Sequence, residues 1–492
     1  MPRLWPSAVA MLGGIGLWWA SSTPGWGGIA LVSFVPLLLG IRRLQGYRTV
    51  AKIGAIFSLA WSLPQFGWIA EIGLQSGAFD AHMIGWLLIV ILFLVTHLIA
   101  ISGLYWLWLI RKWPCSIALS TVWFTVELIT DACLKRGFGL SLDPVRLAVS
   151  QLDNGPFAQS ADLGGVSLVG WLVTLTIGLV VDAFVDRKRQ TTIFPRAFSC
   201  MFGLLMASAI YGYLRLITCG AETGPSVTLI PDIWRDSMEF LSENAPPADL
   251  VVWPETALAG TLNLDDHLED ALKERSHRLD SSIVVGCQRF SESPTGLFNS
   301  ACLCSADGHS LEVSDKRFLG PISEFVPPLG KYFGVSPPST EYRPGNSACW
   351  TVGGKYRVGV GICLDASFAE WNRALALGEP DLLLVIANES FTRSNQIRSQ
   401  LLACARLRAI ESRRTLLRCS LNGITCVIDA CGRIVAKNPD WRLPTPLFIG
   451  NAPITRSRSV YHAVGETLVW MVVFGTAILG EYVGIATRRN GK

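Results

Sequence analysis

The sequence predicts an α-helical membrane bundle of about eight spans that carries one soluble α/β domain. Three observations carry that reading. Half of the 492 residues are hydrophobic and only 16% are charged, a balance of membrane proteins rather than of soluble enzymes. Long apolar runs fill the chain up to Ile217 and return once near the end, with basic residues beside alternate runs. Between Glu222 and Thr455 the pattern changes to short β-branched runs, Pro/Gly turns and amphipathic stretches, the signature of an α/β domain.

The first apolar run, Leu4 to Trp19, follows Arg3, and no small-residue cleavage site comes after it. It therefore reads as a retained span rather than a secretory signal. Further spans are expected at Gly27 to Ile41, Ile53 to Ile69, Met83 to Ile110, Ser116 to Ile129, Val166 to Val185 and Ala197 to Ile217, with an eighth at Glu466 to Ala486. Several fall short of the roughly 20 residues a crossing normally takes. Arg42, Arg43, Arg48 and Lys52 follow the second span, Arg111 and Lys112 the fourth, and Arg187, Lys188, Arg189 and Arg196 the sixth. The connections after the first and third spans carry no Lys or Arg. By the positive-inside rule both termini are cytoplasmic and the soluble domain lies on the outer side, the periplasm for a bacterial inner membrane. The connection from Thr130 to Gly165 is expected to form structure on that outer side. The predicted organisation is a membrane domain at 1–219, a soluble domain at 220–455, and a membrane helix with a cytoplasmic tail at 456–492.

A net charge of +4 and the absence of a GxxxxGK[ST] loop give no reason to expect a nucleic-acid partner or a nucleotide cofactor. The 13 Cys are scattered singly apart from Cys302 and Cys304. That pair has no zinc-binding spacing and reads as two residues on one face of a strand. No metal and no cofactor are expected.

Within the soluble domain SVTLIPDIW, ADLVVWPE, SSIVVGCQ, NSACLCSA, KYRVGVGIC, DLLLVIANE and RTLLRCSLNGITCVIDACG read as strands. Leu264 to Leu279 and Gln396 to Ser412 read as helices. Chemistry recurs at strand ends, where active groups of open α/β sheets gather. Glu255 closes one strand, Cys363 closes another, and Lys316 follows a third. Read alone, Cys363 fits a core cysteine more readily than a nucleophile. Its place between the run Tyr356 to Ile362 and a helix start at LDASFAEWNRALA is also one where a helix N-terminus favours thiolate. Glu255 alone reads as a helix cap and Lys316 as a surface ion pair. Spacing does not bring the three together.

The segments WPET at Glu255, SDKRFLGPISEF at Lys316 and GIC at Cys363 resemble the nitrilase superfamily. Seven spans before such a domain and one after it resemble the bacterial apolipoprotein N-acyltransferase family, so the resemblance covers nearly the whole chain. FNSACLCSADG and the long stretch from Cys404 to Gly432 resemble further segments of that family. The resemblance implies an αββα sandwich with Glu255, Lys316 and Cys363 in one pocket. Glu255 would be the general base and Lys316, with the Leu364 N–H, the oxyanion partner. Glu324 would support the triad through Lys316 or Glu255. Asn388 would line the pocket, or else simply end a strand. Glu127 matches a family position in the fifth span, and packing into the bundle interior accounts for it equally. His97, in the fourth span, marks a polar path or an interhelical hydrogen bond.

The implied function is transfer of an acyl chain from a phospholipid, through a thioester on Cys363, to the α-amino group of the diacylglyceryl-cysteine of a lipoprotein. Its partners would be the bilayer, the phospholipid donor and the diacylated lipoprotein acceptor. The alternatives are a membrane-tethered nitrilase-type amidase and a non-catalytic lipoprotein-binding paralogue. Three stretches depart from the family pattern. Leu364-Asp365 replaces an aromatic-Glu pair, Pro321-Ile322-Ser323-Glu324 replaces Pro-Phe-Gly-Glu, and Asn388-Glu389-Ser390-Phe391 replaces Asn-Asp-x-Trp-Phe. Substrate preference is expected to differ at these places.

Overall fold

A computed structural model describes residues 5–22, 26–43, 46–76, 79–153, 155–185, 193–219, 222–233 and 246–490. The topology signals at Arg3, Arg187, Lys188, Arg189 and Lys492 lie outside the described residues. The chain forms two compact units: Met1–Arg136, Leu142–Ile217 and Ala463–Lys492 make the first, Gly137–Ser141 and Thr218–His462 the second.

The first unit is helical: α1 Trp5–Ser22, α2 Gly27–Arg43, α3 Tyr47–Gln65, α4 Gly67–Ser76, α5 Phe79–Tyr105, α6 Cys115–Phe138, α7 Ala161–Val185, α8 Ile193–Ile217 and a C-terminal helix at Thr467–Asn490. Among the described residues, 6 helices are long and apolar enough to cross a membrane. Of the eight spans expected from the sequence, the first two form α1 and α2, of 18 and 17 residues, which are not among those 6. The third predicted span starts earlier, at Tyr47, and continues past a break at Phe66 into α4. The fourth ends in a π-helical turn at Trp106–Ile110, and the fifth runs on to Phe138.

The bundle interior is aromatic. Phe34 and Trp123 stack edge to face at 4.9 Å, as do Trp61 and His97. His97 Nδ1 lies 2.7 Å from the Phe93 carbonyl one turn back on the same helix. Its Nδ1 is thus engaged within α5, and among the described residues no hydrogen bond joins the ring to another helix. Glu127 points inward, as packing predicts, and meets an ion pair that the spacing did not announce. It accepts from Trp123 Nε1 at 3.0 Å and from Arg146 Nη1 at 3.2 Å. Arg146 comes from the connection after α6, where short 3-10 turns pack into the bundle, and it also meets Asp143 and Asp131 at 2.8 and 3.5 Å. Buried charges need such partners, because an unpaired one is strongly destabilising.

The second unit is built on two six-stranded sheets and one short pair, β1 Glu222–Thr223 with β14 Pro453–Ile454. One contains β2 Val227–Leu229, β3 Leu250–Val252, β4 Ser282–Glu292, β5 Thr295–Cys304, β6 Leu311–Asp315 and β13 Leu447–Ile449, in the order β13-β2-β3-β4-β5-β6. The other contains β7 Cys349–Val352, β8 Tyr356–Ile362, β9 Leu382–Asn388, β10 Thr415–Leu421, β11 Cys426–Ile428 and β12 Ile434–Lys437, in the order β12-β11-β10-β9-β8-β7. β2, β3 and β4 run parallel, as do β8, β9 and β10. Each segment expected to be a strand contains one; the tail of the first, from Trp234, lies outside the described residues.

Strand side chains alternate between faces, and the burial follows that period. Leu382, Leu384 and Ile386 of β9 face Val252, Val284 and Leu303 in the core between the sheets. Leu383 and Val385 point the other way, onto Trp371 and onto Ala405 and Ala409 of the helix Asn395–Ser412. On the opposite outer face Cys302 and Cys304 pack together with Leu272 of the helix Asp266–Leu279. The layers are therefore helix, sheet, sheet, helix. Cys302 and Cys304 are core residues, on the shared face expected of an i, i+2 pair. Cys219 and Cys431, 212 residues apart in sequence, form a disulfide that the scattered cysteine pattern did not announce.

Candidate active site

The site forms where the ends of β3, β6, β8 and β9 converge. After β3 the chain turns at Glu255-Thr256, with Thr256 in the left-handed region at φ 58°. The turn is clamped on β4: Gly286 N–H donates to the Pro254 carbonyl at 3.1 Å and Leu258 N–H to the Gly286 carbonyl at 3.0 Å. A Cβ at Gly286 would stand 2.4 Å from the Pro254 oxygen and 2.5 Å from Glu255 Cα, so only glycine admits this approach. Lys316 extends the β5–β6 ladder by one residue, its N–H donating to the Asn299 carbonyl at 2.8 Å. Backbone pairing thus sets the lysine beside Asn299.

These groups meet in one buried cluster. Lys316 Nζ donates to Glu255 Oε1 at 2.8 Å and to Glu324 Oε1 at 3.0 Å. Asn299 Nδ2 bridges the same two oxygens at 2.8 and 2.6 Å. The other oxygens are held by main chain, Glu255 Oε2 by Asn388 N–H at 2.9 Å and Glu324 Oε2 by Gly320 N–H at 2.5 Å. Asn388 Nδ2 donates to Thr256 Oγ1 at 2.7 Å. Glu255, Lys316 and Glu324 are all buried. Burial works against the charge on Lys316, but Glu255 and Glu324 more than offset it and hold the ammonium well above the ordinary lysine range.

Cys363 follows β8 at φ 51° and opens a 3-10 turn, Cys363–Ser367. A non-glycine residue in the left-handed region at a strand end is a strained elbow that lifts the side chain out of the sheet. Asp365 holds the elbow. One of its oxygens accepts from Phe318 N–H at 2.8 Å and Arg317 N–H at 3.2 Å, the other from Ile362 N–H at 2.9 Å. Phe318 stacks flat on Phe368 with ring centroids 3.9 Å apart. The segment carrying Lys316 is thereby fastened to the turn carrying Cys363. Despite those three bonds, burial pushes the Asp365 carboxyl up to about 7.

The thiol contradicts the expectation of a thiolate favoured by a helix N-terminus. Burial and then the Glu255 charge push Cys363 well above the ordinary cysteine range, with Lys316 acting the other way. The elbow leads into a single 3-10 turn, which has little dipole to set against these effects. The resting group is a neutral thiol that needs a base.

Leu364, next in the turn, is partly accessible. Glu389 is fully buried and ion-paired to Arg418. Burial raises its carboxyl and Arg418 opposes this. The cluster thus gathers Glu255, Lys316, Glu324 and Asn388, and the Cys363 thiol senses the charges of the Glu and Lys side chains. Sequence reasoning passed over Asn299, Asp365 and Gly286. Asn299 stood only as part of the segment FNSACLCSADG, and Asp365 read only as a departure from the family.

A buried Glu–Lys–Glu cluster thus lies beside a cysteine elbow in a four-layer sandwich. Residues 226–447 match the model of the carbon-nitrogen hydrolase family, and residues 13–179 match the apolipoprotein N-acyltransferase N-terminal domain. The apolipoprotein N-acyltransferase of Geobacter metallireducens is 26% identical, over 98% of this chain and 95% of that protein. That of Vibrio cholerae is 26% identical over 90% of each. Among solved structures, a CN-hydrolase superfamily protein from Xanthomonas campestris aligns with 52% of this chain and 97% of its own, at 19% identity and a TM-score of 0.36. The chain carries both of these domains, is similar over nearly its whole length to apolipoprotein N-acyltransferases, and is a multi-pass bacterial membrane protein.

Proposed function

We propose that this protein transfers an acyl chain from a phospholipid to the α-amino group of the diacylglyceryl-cysteine of lipoproteins. The observation that carries the mechanism is a neutral, partly accessible thiol beside a carboxylate whose two oxygens are fixed by Lys316, Asn299 and the Asn388 N–H. Glu255 takes the Cys363 proton as sulfur attacks the ester carbonyl, so that deprotonation and attack coincide. The C–S bond forms, the ester C–O bond breaks, and Glu255 returns the proton to the departing alcohol of the lysophospholipid. In the second step the acceptor amine attacks the thioester. The C–N bond forms, the C–S bond breaks, and a proton passes from the amine through Glu255 to the released thiolate.

Lys316 and the Leu364 N–H stabilise the oxyanion in both steps, where fixed charge is worth most because it needs no reorganisation. Glu324 holds Lys316 in place, and Asn388 holds Glu255. The acyl donor is a lipid of the bilayer, and exclusion of water from the site protects the thioester. The protein sits in the bacterial inner membrane with the soluble unit on the periplasmic side and both termini cytoplasmic. Basic residues beside alternate spans support this, and so does the Cys219–Cys431 disulfide, a bond that persists in oxidising compartments.

Mass spectrometry of lipoprotein N-termini from cells with and without this protein tests the reading. A third acyl chain on the N-terminal cysteine, present only with the protein, is the expected result. Unmodified amines in both cells contradict it, and ammonia release from small amides would favour an amidase instead.

A further inference from the structure

We propose that a cavity beside the catalytic cluster is a binding site for the phosphodiester of the acyl-donor phospholipid; this rests on the function proposed above. The cavity, of about 390 Å³, lies in the second unit between the loop after β9 and the start of the helix Asn395–Ser412. Its lining includes Arg393, Arg398, Arg442, Trp441, Ser390 and Asn422, and no carboxylate. The volume lies in the range that encloses a small ligand, larger than one phosphate and suited to a glycerophosphodiester.

The charge of this cavity is only partly offset from its surroundings. The Glu389 carboxylate, 3.9 Å from Arg398, is fully buried and committed to Arg418. Asp440 is 3.9 Å from Arg442, and both are well exposed, so the pair is weak. Arg393 is exposed, and among the described residues it has no hydrogen-bond or ion-pair partner. Three guanidinium groups therefore share one cavity whose own lining holds no carboxylate, and Arg393 among them is unpaired among the described residues.

Arg398 is fixed in place. Its Nε donates to the Asn422 carbonyl at 2.9 Å, its Nη2 donates to the Thr392 carbonyl, and its guanidinium lies over the Trp441 ring at 3.7 Å. Arg442 flanks the same ring at 5.0 Å. Guanidinium forks held this way match the oxygens of a phosphodiester, and the helix beginning at Asn395 adds its N–H groups to the same side.

The cavity is also wired to the reacting groups. Asn422 Nδ2 donates to Ser390 Oγ at 2.8 Å, Ser390 N–H to Asn388 Oδ1 at 3.0 Å, and Asn388 N–H to Glu255 Oε2 at 2.9 Å. An anion held at Ser390 and Arg393 sits on the loop whose first residue positions the general base. This fits a donor whose ester lies a few bonds from its phosphate.

The test compares two donors on the full-length protein in detergent: dipalmitoyl phosphatidylglycerol, and dipalmitoylglycerol, which has the same acyl esters and no phosphate. Intact mass spectrometry follows acyl loading of Cys363. Wild type is expected to load at least about tenfold faster from the phospholipid, the effect of one charge-assisted contact. The Arg393→Gln/Arg442→Gln double variant, altered only at exposed positions, is expected to lose most of that preference. Millimolar inorganic phosphate should slow wild-type loading from the phospholipid selectively. An unchanged preference in the variant overturns the proposal. So does normal loading with slowed transfer to a diacylated acidic peptide, which would assign the cavity to the acceptor. No loading from either donor would instead bring down the acyltransferase reading itself.

Discussion

Asp365→Asn probes the fastening of the cysteine elbow, where this chain departs from its family. The oxygen that serves Arg317 and Phe318 survives as the amide carbonyl. The oxygen facing Ile362 N–H becomes an NH2 group, and a buried donor is left without an acceptor. That loss costs about 1–3 kcal/mol. The substitution also removes a titration. Burial moves Asp365 from 3.8 to about 7, so the folded protein binds this proton more tightly than the unfolded chain. Its contribution to stability is complete below about pH 3.8 and is lost as the pH rises through about 7. At about 1.4 kcal/mol per unit, wild type loses roughly 3 kcal/mol between pH 5 and pH 8 from this group, and the variant loses none of it. Urea unfolding of both full-length proteins in detergent at the two pH values measures the difference, since their other titrations cancel. The variant should be the less stable protein at pH 5 and should close the gap, or overtake, at pH 8. A gap that does not change with pH refutes a buried, proton-holding Asp365.

Two further substitutions address the cluster and its support. Lys316→Met leaves Glu255 and Glu324 buried without their shared cation, and it should destabilise the protein by about 3–5 kcal/mol while slowing acyl loading by a factor of about 10²–10³. Chemical denaturation and a loading assay measure the two effects, and wild-type loading would exclude Lys316 as the oxyanion partner. Gly286→Ala forces its new methyl against the Pro254 oxygen and Glu255 Cα, at 2.4 and 2.5 Å before relaxation. Loading should fall at least about tenfold, because a displaced base loses its alignment with the thiol. An unaffected rate would mean that Glu255 tolerates movement.

Much of this architecture was legible because buried strands read as short apolar runs bounded by turn residues. β9 alternates between two apolar environments, and its strand character follows from residues 382–388 alone. The membrane helices were equally plain, while their ends were not. Helix α6 runs past Ile129 because Asp131 and Lys135 pair with one another and Asp131 also meets Arg146 of the following connection, an arrangement that no hydropathy window detects.

The site divided the same way. Glu255, Lys316, Glu324, Asn388 and Cys363 were found through their resemblance to family segments. Asn299 and Gly286 act through neighbours far along the chain, and their roles emerge only when the strands pair. Asp365 reads only as a departure from the family pattern, whereas its contacts reach back to Arg317 and Phe318. The disulfide escaped for the same reason, with 212 residues between its halves.

The proposed mechanism puts the acyl chain on Cys363, and intact mass spectrometry after incubation with phospholipid in the absence of acceptor reads that step out. Wild type should gain the mass of one acyl group, lose it to hydroxylamine, and release it when a diacylated peptide is added. Cys363→Ala should gain nothing, and Glu255→Gln should load at least about a hundredfold more slowly. An equal acyl adduct on the Cys363→Ala protein would contradict the account.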